Sequence, residues 1–312
     1  MLSTFSTLGA TQAGRTASLP RRVQETPVRT AILESIRQRN ALLDAMFYDV
    51  KLVGEDEAVA ISPWLAAEGA ILLVPPSGAS PLRLCTSIDD FVAHGGPDVR
   101  ALVVAGVGSS ALGSAAFARN VADATGQTVA AVVSGYGLAD VAAEAMGGFF
   151  LFGAFNSIRH TFEPLDRATE VTVVEEPGTL EWTGGELPGT SRDTLSVIAL
   201  LENRALQFDR LIGHSKGNLV ISEALYQLRS SDPQRAVELG NAMQIVTISA
   251  RIAMPPTCKN VIDVMGEWDW FGGLNSRPDI KADLVVPRAW HHTNTQLPFH
   301  LPVTKTLTAV LN

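Results

Sequence analysis

Two apolar periodicities alternate along this chain. Short, wholly apolar runs rich in Val and Ile are separated by longer stretches in which apolar positions return every three or four residues. The first pattern is that of strands covered on both faces, the second that of helices laid over them. Val28, Ile32, Ile36, Leu42, Leu43 and Met46, with Glu34 and Arg37 between them, predict a surface helix within residues 27–47. Runs at 48–53, 58–62 and 70–75, punctuated by Gly54, Pro63 and Pro75-Pro76, predict the first strands. A strand over 101–104, a tight loop over 106–110, an alanine-rich helix over 111–125 and a strand over 128–133 make a βαβ unit, which implies a parallel sheet.

Residues 135–188 break the rhythm with a helix-like stretch from 138 to 155, a strand-like 170–175 and a Gly/Pro/Thr-rich loop. The aromatic cluster Phe149, Phe150 and Phe152 in this segment reads either as a buried core helix or as the acyl-binding wall of a lid. A helix over 190–207 leads to a strand ending at Leu211-Ile212, and helices over 218–228 and 232–243 follow. Strands over 244–249, 260–265 and 284–286 and a closing helix over 303–311 complete the order. The expected fold class is α/β: a mostly parallel central sheet with helices on both faces and a helical insertion before the strand at 211–212. Residues 27–312 read as one such domain. Residues 1–26 read as a disordered tail, because 1–22 are rich in Ser and Thr, carry Arg15, Arg21 and Arg22 and lack acids, a composition that organelle-targeting segments share.

The strand at 211–212 runs into Gly213-His214-Ser215-Lys216-Gly217, a G-x-S-x-G pentapeptide. Such a strand-to-helix turn holds its central serine in a strained backbone conformation clear of the sheet, with glycines where the backbones crowd. A serine hydroxyl barely ionises at neutral pH, so a nucleophilic Ser215 needs a histidine to take its proton and an acid to orient that histidine. Asp269 follows the strand at 260–265, with Glu267, Asp279 and the in-strand Asp263 as substitutes. His291 and His292, two of only six histidines, follow the strand at 284–286, and His291, nearer the strand's exit, is the preferred base. The oxyanion of a tetrahedral intermediate needs backbone N–H donors. These are expected from Lys216, at the positive end of the following helix, and from Val107 or Gly108.

Ser215, Asp269 and His291 in that order, with a Gly-rich loop after an upstream strand, resemble the α/β-hydrolase superfamily of serine esterases and lipases. The resemblance runs from about Ala101 to the last residue, and the G-H-S-K-G elbow is similar to those of lipase-like members. It implies hydrolysis of a small or lipid-like carboxylic ester through an acyl-enzyme, with thioester hydrolysis or acyl transfer as alternatives on the same triad, and it implies no cofactor or metal. Many members carry His-Gly where this chain has Ala105-Gly106.

Composition narrows the partners. A net charge of −8 without a Lys/Arg cluster disfavours nucleic acid, and no apolar run is long enough to span a bilayer. Cys85 and Cys258 are too few and too far apart for a disulfide framework or a zinc site, which fits the cytoplasm. One rival remains. Gly106-Val107-Gly108-Ser109-Ser110-Ala111 also fits the G-x-G-x-x-A fingerprint of a dinucleotide-binding loop. That fingerprint expects an acid at the end of the next strand, where this chain has Ser134-Gly135.

Overall fold

The computed structural model describes residues 2–18, 39–65, 67–106, 110–134 and 190–311. All the described strands join one eight-stranded sheet: β1 (Ile71–Val74), β2 (Arg83–Cys85), β3 (Ala101–Val104), β4 (Val129–Val132), β5 (Arg210–His214), β6 (Gln244–Ile248), β7 (Asn260–Gly266) and β8 (Leu284–Val286), in the order β2-β1-β4-β3-β5-β6-β7-β8. β1 runs antiparallel to both β2 and β4, and every other pairing is parallel. This is an α/β fold with a mostly parallel sheet, compatible with the α/β-hydrolase architecture.

The period of two along each strand sends alternate side chains to opposite faces, and both faces are covered. Leu72, Val103, Ile212 and Val246 face one core with Leu112 and Phe117 of α5 (Ala111–Thr125) and Leu307 of α10 (Val303–Leu311). Leu73, Leu102, Leu211 and Ile245 face the other with Leu200 of α6 (Arg192–Glu202), Val220 of α7 (Lys216–Ser231) and Leu239 of α8 (Pro233–Ala242). Each fully buried large aliphatic contributes about 1.5–3 kcal/mol.

Residues before 63 depart from the expected pattern, whereas the run at 70–75 forms β1 as expected. Residues 2–18, expected to be a disordered tail, form α1 (Leu2–Ser18), which packs against α3 (Glu55–Ile61). Thr7 and Thr11, one turn apart, are buried on that side, and the Thr7 hydroxyl donates to the Val53 carbonyl at 3.1 Å. Of the helix expected within residues 27–47, α2 covers residues 39–47, and residues 27–38 lie outside the described residues. The runs at 48–53 and 58–62, expected as strands, are a 3-10 turn over Val50–Leu52 and most of α3. Glu57 accepts from the Gly54 N–H at 2.9 Å, and Glu55, Asp56 and Glu57 fill the first turn of α3, so its amino end is closed and complements the helix dipole. α4 (Ile88–Ala93) follows β2. Among the described residues, no helix is long and apolar enough to cross a membrane.

Candidate functional site

Chain crossovers decide where a site forms. From β3 the chain crosses to β4 on one side, then returns past β3 to β5 on the other, so β3 and β5 are neighbours whose connections diverge. The crevice outside the carboxyl ends of two such strands is the usual ligand position in α/β sheets. Gly106 follows β3 there, and Ser215 follows β5.

Ser215 sits at φ 52°, ψ −120°, a left-handed position for a residue with a Cβ, at a cost of about 1–3 kcal/mol. Close packing at the turn requires the flanking glycines. A Cβ on Gly217 would lie 2.1 Å from the Val104 carbonyl oxygen, and one on Gly213 would lie 2.3 Å from Asn218 Oδ1. On Gly106 it would meet the His214 carbonyl oxygen at 2.5 Å, Ser215 Cβ at 2.7 Å and Lys216 N at 3.0 Å, so the Gly106 backbone lies directly against the elbow. The Lys216 backbone opens α7, at its positive end. Its side chain turns inward, with Nζ 4.0 Å from the carboxylate of the fully buried Asp193 on α6.

Because β5 to β8 are parallel, the loops after β7 and β8 reach the same edge of the sheet as the elbow. Asp269 caps the short helix α9 (Trp270–Leu274), accepting the Gly272 N–H at 2.6 Å. His291 Nδ1 donates to Asp269 Oδ1 at 2.9 Å, with Oδ2 at 3.1 Å. Burial pushes the Asp269 carboxyl up. The charge and hydrogen bond of His291, the Gly272 N–H and the Ser249 hydroxyl outweigh burial and hold the carboxyl below its ordinary range. It is therefore a carboxylate at neutral pH, able to fix the tautomer of His291 and to stabilise its protonated form. Phe271 lies edge-on to the His291 ring, with centroids 4.8 Å apart.

His292 is placed otherwise. Its Nε2 donates to the Pro298 carbonyl at 3.0 Å and its carbonyl accepts from the Leu301 N–H at 2.8 Å, which ties the loop to the chain leading into α10. The substitute acids are engaged elsewhere. Asp263 accepts from the Thr247 hydroxyl, Glu267 accepts from the Arg288 N–H at 2.7 Å, and Asp279 pairs with Arg277 at 3.0 Å. Ser215, Lys216, Asp269 and His291 thus lie along one edge, whereas Val107, Gly108, Phe149, Phe150, Phe152 and the 135–188 segment lie outside the described residues.

Three residues that the sequence did not single out lie in the same region. Asp44 on α2 is fully buried and accepts the Ser110 N–H at 3.0 Å and the Gly113 N–H at 3.3 Å, so a carboxylate of the chain fills the amino end of α5. Tyr48 and His214 are also fully buried and hydrogen-bonded to one another at 3.0 Å. Only His214 carried a signal, its place beside Ser215; nothing in the order of residues ties Asp44 or Tyr48 to loops so far downstream. Among the described residues, no group of three His, Cys, Asp or Glu is arranged to hold a metal ion. No family profile, curated protein or solved structure matches the chain.

Proposed function

We propose that this protein is a serine hydrolase that cleaves a carboxylic ester with an apolar acyl group through an acyl-enzyme. The observation that carries the reading is a strained serine elbow at the divergence of two crossovers, with a hydrogen-bonded Asp269–His291 pair presented at the same edge of the sheet. Ser215 Oγ attacks the ester carbonyl carbon as His291 Nε2 takes the hydroxyl proton. The carbonyl oxygen becomes an oxyanion against the Lys216 N–H and the loop after Gly106. Each such donor is worth about 10²–10³ in rate. The C–O bond to the alcohol then breaks, and the proton on His291 passes to the leaving oxygen. Water repeats the sequence on the acyl-enzyme, releasing the acid and restoring Ser215.

The dinucleotide reading of the Gly106 loop loses support from two contacts. A pyrophosphate would bind the amino end of α5, where Asp44 already sits. β4 leads into Ser134, whose hydroxyl donates to the Ala105 carbonyl at 2.8 Å, in place of a ribose-binding acid. The test is labelling by a fluorophosphonate together with turnover of p-nitrophenyl esters of increasing acyl length. Labelling at Ser215 and ester turnover that both vanish in Ser215→Ala are expected. A chain that is unlabelled and inert on every ester, but stabilised against heat by NAD(P), would overturn the proposal.

A further inference from the structure

Residues 44–49, at the end of α2 and just beyond it, contact the start of α5, Gly106, the elbow residue His214 and the loop that carries His291. Asp44 holds the amino end of α5, just after the Gly106 loop. The Phe47 carbonyl accepts the Thr293 N–H at 2.7 Å, the Ala45 carbonyl accepts from Asn294 Nδ2 at 2.6 Å, and Asp49 Oδ1 accepts the Thr295 N–H at 2.8 Å, so the loop carrying His291 is stitched to this segment. At its centre the Tyr48 hydroxyl accepts the Gly106 N–H at 2.7 Å and lies 3.0 Å from His214 Nδ1, while His214 Nε2 lies 3.0 Å from the His291 carbonyl.

The protons in this chain are fixed by its partners. A carbonyl oxygen only accepts, so His214 Nε2 carries a hydrogen. Burial, with the nearby His291 adding to it, pushes the His214 imidazole down to about 3, so the ring is neutral and Nδ1 is an acceptor. Tyr48 therefore donates to His214, and the bonds run in one direction from the Gly106 N–H through Tyr48 and His214 to the His291 carbonyl. His214 is the residue before Ser215, and its ring centroid is 5.0 Å from that of His291. A charged imidazole there would oppose protonation of His291, whereas a neutral one does not.

We propose that Tyr48 and His214 are positioning residues: their hydrogen-bonded chain sets the Gly106 backbone, the Ser215 elbow and the His291 loop at working distance from one another. The inference rests on the serine-hydrolase reading. Neither side chain is assigned contact with substrate; each acts through the groups it holds. Misplacing them should penalise the transition state and leave substrate binding nearly untouched.

The test compares wild type with Tyr48→Phe, which removes only the hydroxyl. His214→Gln is the second variant; its amide keeps an N–H for the His291 carbonyl but no longer places an acceptor at the ring Nδ1 position that faces Tyr48. For Tyr48→Phe, kcat should fall about tenfold to a hundredfold, with KM within about twofold. Affinity for a trifluoromethyl ketone, which adds to Ser215 as the tetrahedral intermediate does, should weaken by the same factor. The double variant should be no worse than the poorer single one. Should Tyr48→Phe not fold, His214→Gln carries the same expectation. Wild-type kcat in both variants, or a loss of kcat without weaker binding of the ketone, overturns the inference alone. A wild-type protein that a fluorophosphonate does not label overturns the hydrolase reading and this inference with it.

Discussion

Replacing His214 by Gln should flatten the dependence of stability on pH. The imidazole is fully buried, and burial is the main cause that lowers it to about 3, with His291 and His292 adding to it and the His291 carbonyl and Asp269 opposing. The same side chain in the unfolded protein titrates near 6.5. Above that value both states are neutral and the ring contributes nothing to the pH dependence. Below it the unfolded chain takes up a proton that the folded chain refuses, so stability falls by up to about 1.4 kcal/mol per pH unit until the folded value is reached. Between pH 7 and pH 5 this amounts to about 2 kcal/mol, a large part of the roughly 5–15 kcal/mol that holds a typical domain together. Urea unfolding at pH 7, 6 and 5 should show wild type losing about 2 kcal/mol more than His214→Gln across that interval, whatever their ranking at pH 7. His292, also lowered chiefly by burial, is present in both proteins and drops out of the difference. Asp269 acts in another window: its lowered carboxyl stabilises the fold above the ordinary carboxylate range, and that contribution is lost only as the pH falls through its folded value. Parallel profiles for the two proteins would mean that His214 takes a proton inside the fold as readily as outside it, and would refute the reasoning.

The two adjacent histidines should separate cleanly in kinetics. His291→Ala should be as inactive as Ser215→Ala, and combining the two should cost no more than either alone, since residues acting as a unit fail together. Asp269→Asn should fall between these variants and wild type, while His292→Ala should keep at least about a tenth of the activity and lose stability instead, by about 1 kcal/mol, for its part-buried bond to Pro298. Gly217→Ala should yield little soluble protein, because the new methyl would lie 2.1 Å from the Val104 carbonyl oxygen; wild-type solubility and ester turnover would show that α7 can shift away from β3.

The carboxyl half of the fold was readable because its signals are local and redundant. Around Ser215 the apolar run, the paired glycines and the helical pattern agree on one turn, and Asp269 and His291 each follow a run recognisable as a strand. The residues before 63 were not, for a physical reason. Short Val- and Ile-rich runs suit a buried strand and a buried helical turn equally, and at 58–62 the deciding feature was the acidic first turn, Glu55 to Glu57, rather than the apolar residues. In α1 the Ser and Thr content suggested a tail, yet Thr7 and Thr11 are small enough to be buried, Thr7 donating to the Val53 carbonyl of the neighbouring segment and Thr11 to the Thr7 carbonyl one turn back in its own helix. Tyr48 had no signal at all, since its importance comes from partners brought together only by the closed fold.

That closure has a temporal side. The bond between Tyr48 and His214 joins residues 166 apart, and the one between Asn294 and Ala45 joins residues 249 apart. A ribosome delivers residues 44–49 long before residues 293–295, so the bracket waits until the loop it binds has been made. Contacts of such long range form slowly, after the entropy of the intervening loop has been lost. In a growing chain the elbow at Ser215 is therefore made before the loop that carries His291, and the hydrogen bond from His214 that joins the two closes only after that loop has emerged.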